Sequence, residues 1–382
     1  MVGVDLKCLE KWYDKLTVSA SNLAIRILLL TVLISMFGNL ALSIVRSPSL
    51  FITVLFFGRD ILILFSVALI LSTARMGFGS RIMLIWLISA FIMSCSFVAF
   101  GDVKINGFVE KFRNIFALPL LILLSNLNLR DSPDVKPIFK IFIVLCFVEG
   151  LFLISGYIGA YREFVGVSAY LTAKNTTVNF GFGLFNTLRL ATPMFQPSLG
   201  GVVLALILIR FLQWRNYLWS LATFFVIILT LSKTGLMLLF AYPLMLVSPF
   251  ITSLGLFITP FALIELLSQI DLKHIYSIRY HFAGFFDGFD HLFSPVGVGL
   301  SGTVLSAPGR EVGAESGIGA YLSAFGIFGF VPLVLAYLNQ KKMHFVVLYI
   351  AAVIYTEISM NLYVAIIFYF ASFNEDFNEK NT

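Results

Sequence analysis

Residues 315–338 read ESGIGAYLSAFGIFGFVPLVLAYL. After Glu315 the run holds no charged side chain, and it is longer than the roughly 20 apolar residues a helix needs to cross bilayer hydrocarbon. A carboxylate thus stands at the mouth of the run, and just ahead of it PGREVG, 308–313, adds Arg310 and Glu311. The same apolar character extends through the chain. Of its 382 residues, 59% are hydrophobic and 12% charged, whereas about a quarter of a soluble domain is charged. The runs do not alternate apolar and polar residues as barrel strands do. The sequence predicts an all-α, polytopic integral membrane protein, with 1–382 as a single transmembrane domain.

Spans are expected near 24–45, 58–74, 82–100, 110–126, 137–156, 195–213, 216–232, 234–250, 251–268 and 315–338. The block 343–372 reads as one long tilted helix or two short ones, for about eleven or twelve transmembrane helices in all. About twenty mixed-charge residues precede the first span, which does not fit a cleaved signal peptide. Cys8, Cys95 and Cys146 have no metal-ligand or redox spacing. The net charge of +6 is that of ordinary loop cations and implies no nucleic acid.

Placing the N-terminus in the cytoplasm puts Arg75, Arg81, Arg130, Lys136, Lys140, Arg210, Arg215, Lys341 and Lys342 there as well, as the positive-inside bias requires. Two long connections, 157–194 and the larger 269–314, then lie outside. So do many cations that topology does not need, among them Arg59, Lys104, Arg113, Arg189, Lys233, Arg279 and Arg310.

Four stretches carry candidate chemistry. In NTLRLATPMFQPSLGGVVLALIL, 186–208, Arg189 precedes a Pro/Gln/Pro segment that runs into a span. Pro197 suits a first helical turn, and Ser198, Gly200 and Gly201 allow close approach of another backbone or a lipid. Arg189 either binds phosphate over the membrane surface or snorkels to headgroups. In LTLSKTGLMLLF, 229–240, Lys233 marks either a functional path or a tight solvent-facing turn; adjacent Ser and Lys on a helix point about 100° apart, against a nucleophile–base pair. The outer connection 269–314 holds an amphipathic stretch with His274 and Arg279, a loosely spaced Asp287, Asp290 and His291, and the Gly-rich SPVGVGLSG, 294–302, whose backbone could face an anion. Glu315 is either a carboxylate suited to the helix dipole or a general base, with Glu311 as the alternative.

In this order the motifs resemble bacterial O-antigen polymerases, within the O-antigen ligase/polymerase superfamily. They are Arg113 in EKFRNIFALPL, LRLATPMFQPSLGG, LTLSKTG, SIRYHFAGFFDGF, FSPVGVGLSG and AESGIGAYLSAFGIFGF, covering most of 110–338. Ligases of the superfamily typically carry His-Asn where this chain has Glu315-Ser316, and many members have Arg where it has Lys233; the first departure favours a polymerase.

The resemblance implies a multi-pass protein of the bacterial inner membrane, GT-C-like, with its active site facing the periplasm and its two long connections periplasmic. It implies a glycosyltransferase of lipopolysaccharide biosynthesis that moves a glycan from undecaprenyl pyrophosphate to another lipid-linked repeat unit. The transfer inverts the anomeric centre and uses no cofactor and no metal. Membrane lipid and, by family analogy, a chain-length regulator are the other expected partners. A departing pyrophosphate needs positioned cations. Arg189 and Arg279 are therefore expected to bind it with help from Arg113, Lys233 and Arg310, while Glu315 or Glu311 activates the acceptor hydroxyl. The rival readings are a ligase on the same scaffold and a lipid-linked oligosaccharide flippase, which would show a deep cationic cavity between two similar halves.

Overall fold

The computed structural model describes residues 6–44, 50–74, 76–100, 116–127, 134–154, 190, 192–194, 197–230, 232–248, 251–252, 254–255, 258–259, 285–286, 292–293, 316–338, 344–355 and 362–372. Every regular element among them is helical. The longer elements are α1 (Leu6–Ile44), α2 (Leu50–Thr73), α3 (Phe78–Phe100), α4 (Ala117–Ser125), α5 (Lys136–Ile154), α6 (Pro197–Gln213), α7 (Tyr217–Thr230), α8 (Lys233–Val247), α9 (Gly317–Phe325), a 3-10 turn (Gly326–Gly329), α10 (Phe330–Leu338), α11 (His344–Tyr355) and α12 (Leu362–Ser372). Among the described residues, three stretches are long and apolar enough to cross a membrane: Ser19–Gly38, Phe78–Ser96 and Gly317–Leu338. Shorter apolar helices of 10–17 residues accompany them. The chain is an α-helical membrane protein.

It divides into two compact units, residues 1–80 with 126–178, and 81–125 with 179–382. In the first, α1 lies along α2 and α5 packs on α1. Ala24, Ile25, Leu28, Val32 and Met36 are buried while Leu23, Leu30 and Phe37 are exposed. This helical periodicity turns one apolar face inward and leaves another for acyl chains. α2 begins eight residues before the expected span 58–74, so Arg59 lies inside a helix and not in a connection. Its Nε and Nη2 donate to Asp60 at 2.8 and 2.6 Å, and its Nη1 donates to Ser35 of α1 at 3.3 Å. Pairing with a carboxylate and a hydroxyl is what a guanidinium needs at that depth.

In the second unit α6 is the central helix, buried continuously from Leu199 to Phe211, with α7, α8 and α12 packed on it. Pro197 opens α6, where its missing N–H costs nothing. The far end closes by bonds from Arg215 N–H to Leu212 O and from Asn216 N–H to Phe211 O, with Arg215 at φ 54°. That is a Schellman closure with arginine where glycine is usual.

α8 reaches α6 through glycines. A Cβ on Gly235 would stand 2.5 Å from the Gly201 carbonyl oxygen, and one on Gly201 would overlap Ser232. Absent side chains therefore let two backbones touch, as small residues do between membrane helices.

The block 343–372 is two helices. Tyr349 and Phe368 stack edge to face with centroids 5.1 Å apart, although nineteen positions along one straight helix would separate them by about 28 Å. α11 and α12 are 12 and 11 residues long, short of the roughly 20 needed to span. Phe345–Val353 and Leu362–Ala371 are almost wholly buried. They pack on each other inside the unit. Of the stretch 251–268, helical turns are described at 251–252, 254–255 and 258–259.

The glycine contact makes a stability prediction. Gly235→Ala pushes a methyl into backbone and should destabilise the protein by about 1–3 kcal/mol. Gly150→Ala in α5, where nothing lies within 4 Å, should be neutral or stabilising by up to about 1 kcal/mol. Thermal unfolding of both variants in one detergent checks the contrast; equal shifts would refute it.

Candidate functional site

Two helices of the second unit start side by side. α6 and α8 begin together, since Gly201 is the fifth residue of α6 and Gly235 the third of α8. They also end together. Gln213, the last residue of α6, donates from Nε2 to the hydroxyl of Tyr242 in α8. Tyr242 stacks on Phe345 at the start of α11, with centroids 6.0 Å apart. Five residues separate the end of α10 at Leu338 from the start of α11 at His344. α9 packs on α11.

Each start is built by the local sequence. Ser232 is the N-cap of α8; its Oγ accepts from the Gly235 N–H at 3.1 Å. Ser316 caps α9 in the same way, accepting from the Gly319 N–H at 3.2 Å. Both serines are buried, so each satisfies a helix-end donor that no water reaches. Ahead of α6, the Leu190 N–H donates to Leu229 O in the last turn of α7 at 3.0 Å. Thr192 sits at φ 66°, a conformation rare for a β-branched residue. Its side chain fills the space above Gly200, and its Oγ1 accepts from the Met194 N–H at 3.3 Å. The residue after Arg189 is thereby fastened four positions before Lys233.

Lys233 is the exposed first residue of α8. A cation there opposes the helix dipole, which favours anions at an N-terminus. The Ser232 hydroxyl accepts the Gly235 N–H as the cap of the helix that Lys233 opens. Ser316 takes the capping role on α9, one position after Glu315. Arg113, Arg189, Arg279, Arg310, Glu311 and Glu315 lie outside the described residues, as do Asp287, Asp290, His291 and 294–302. The structure brings together the segments flanking Arg189 and Lys233.

Two buried charges were not singled out from the sequence as site residues. Arg210, assigned to a cytoplasmic connection, is 1% exposed in the last turn of α6. Its Nη1 donates to Gln213 at 2.5 Å and its guanidinium lies 4.3 Å from the Phe345 ring centroid. Cation–π contact, hydrogen bonding and the C-terminal dipole all favour it there. It joins α6 to α11 directly and to α8 through Gln213. Glu149 is buried within α5; a single acid in an apolar run is the signal that marks it.

Compared with protein-family profiles, with curated proteins and with solved structures, the chain matches none.

The caps can be tested directly. Ser316→Ala removes the acceptor that closes the first turn of α9 and should cost about 1 kcal/mol, whereas Ser316→Asp should hold stability near the parent value. Chemical or thermal unfolding of the purified chain measures both, and an unchanged midpoint for the alanine variant contradicts the assignment.

Proposed function

We propose that this chain is a surface-polysaccharide polymerase. In this reading it takes the glycan from a polyprenyl pyrophosphate at the outer face and joins it to a hydroxyl of a second lipid-linked repeat unit. The observation that supports it is the joint start of α6 and α8, each opening inside one of the motifs that carry the resemblance. Helix N-termini carry about half a positive charge each and present unused N–H groups. They suit the charge that develops on a departing diphosphate.

Arg189 and Arg279 bind the diphosphate, and Arg113, Lys233 and Arg310 assist. The position of Lys233 favours this assignment, because a lysine at a helix start lowers the helix's own stability. Glu315, or else Glu311, orients and deprotonates the acceptor hydroxyl, which attacks the anomeric carbon as the C–O bond to pyrophosphate breaks. Inversion follows from a single displacement. The apolar helix faces hold the polyprenyl chain, and a chain-length regulator is a partner in the same membrane. The topology in this reading has about eleven or twelve membrane segments in a GT-C-like arrangement, with 157–194 and 269–314 in the periplasm of a bacterial inner membrane. A ligase differs only in its acceptor, and Glu315-Ser316 in place of His-Asn favours the polymerase.

Deleting the gene should leave lipid A-core bearing a single repeat unit on a polysaccharide gel. Bare core with polymer left on its lipid carrier would mean a ligase instead, and bare core with unpolymerised units inside the cell a flippase. In the deletion strain, Arg189→Ala and Arg279→Ala should fail to restore long chains although the protein accumulates. Lys233→Glu gives the sharper contrast. It should stabilise α8 by about 0.3–1 kcal/mol and yet abolish polymer; a stable variant that makes normal polymer removes Lys233 from the site.

A further inference from the structure

The stretch 317–338 reads as one span but is built as two half-helices. α9 ends at Phe325, and Gly326 follows at φ 55° and ψ −138°, a backbone conformation that strongly favours glycine. One 3-10 turn, Gly326–Gly329, then leads into α10. The break stays open for a second reason. The Phe328 carbonyl would take its helical bond from residue 332, which is Pro332 and has no N–H. The Phe330 N–H is divided between the carbonyls of Ile327 and Phe328. The donor that completes Phe328 comes from another helix: Trp86 of α3 donates its Nε1–H to that carbonyl at 2.9 Å.

Within a membrane a broken helix persists only where neighbours satisfy the freed groups. Trp86 is the neighbour here, and its ring is the hub of an aromatic cluster on the α9 side of the break. It lies edge-on to Phe325 with centroids 5.1 Å apart, and 6.1 Å from Tyr321 and 6.3 Å from Phe116. Tyr321 packs on Gly329, where an added Cβ would come within 3.2 Å of its Cε1. The Tyr321 hydroxyl is buried and has no hydrogen-bond partner among the described residues.

We propose that 317–338 is a jointed lever whose joint is latched by Trp86, and that Trp86 is a positioning residue: through the Phe328 carbonyl it fixes the tilt of α9. The outer end of α9 carries the Ser316 cap, so the tilt sets where the residues just before that cap stand. Discontinuous helices in membrane proteins place and move binding groups by this means. The consequence for catalysis rests on the polymerase reading above; the latch itself does not.

The test separates hydrogen bond from packing. Trp86→Phe keeps a ring and loses the donor. Pro332→Ala returns an N–H to the Phe328 carbonyl from within α10, while Gly326 keeps the break. Hydrogen exchange of the full-length protein in lipid nanodiscs should show the amides of 326–331 exchanging about five-fold faster in W86F, as loss of one typical hydrogen bond allows. Exchange should be slower than the parent's in P332A, and no faster in W86F/P332A than in P332A. In the deletion strain W86F should shorten the polysaccharide ladder and the double variant should restore it, a rescue that a packing role for the indole would not give. The proposal is overturned by unchanged exchange in W86F. It is overturned equally by a double variant that exchanges as fast as W86F. If W86F does not accumulate, unchanged exchange in P332A overturns the latch. Raised exchange with a normal ladder overturns the positioning role, an outcome distinct from failure of the polymerase reading, which shows as normal polymer in the gene deletion itself.

Discussion

A peptide group in hydrocarbon has no water to turn to, and this constraint shapes each helix end described here. Ser232 and Ser316 cover N–H groups at buried starts. The far end of α6 folds its last carbonyls into a Schellman closure even though arginine must adopt a positive φ to do so. Trp86 crosses from α3 to reach a carbonyl that proline has stripped of its donor. None of these contacts is large in energy. Each is fixed in place because the alternative is a bare polar group in an apolar interior, which costs more than a typical bond contributes.

Close helix packing follows from the same setting. With no hydrophobic gradient between protein and lipid, helices gain by van der Waals fit and by bringing backbones near. Gly201 and Gly235 do this for α6 and α8, and Gly200 does it for the strained Thr192. The result at the starts of α6 and α8 is rigid: backbone against backbone, a hydroxyl wedged beside it, and the Leu190 amide bonded to Leu229. At the opposite ends the contacts are of another kind. Arg210, Phe345, Tyr242 and Gln213 join three helices through a buried guanidinium and stacked rings. The two ends of one helix pair are thus held by backbone fit and by side-chain chemistry respectively.

Much of the helical layout is legible in the sequence because apolar run length reports directly on it. Pro197 at a first turn and the close approach at Gly200 and Gly201 are legible for the same reason, since each residue has few other uses there. What run length does not encode is continuity. Gly326, Gly329 and Pro332 stand in plain view, but all count as compatible with a span, and the indole that completes the opened Phe328 carbonyl lies more than two hundred positions away in the sequence. Run length also does not encode burial of charge. Arg210 and Arg59 lie close to plausible loop positions, yet both are inside helices with specific partners. As for the candidate site, the sequence names its charged residues and the structure describes the helix starts beside several of them. At the start of α9 the sequence draws attention to the Glu315 carboxylate, while the cap is the Ser316 hydroxyl one position later.

The two units interleave along the chain, and α4 shows what that means during synthesis. Ala117–Leu124 are almost wholly buried, against α12 among others, and α12 begins at Leu362. The ribosome therefore makes more than 230 further residues after α4 before this partner exists, a wait of roughly 10–50 s at ordinary elongation rates. Throughout it, the apolar side chains of α4 must be sheltered by the insertion machinery or by lipid, and a helix translated late locks an early one into place.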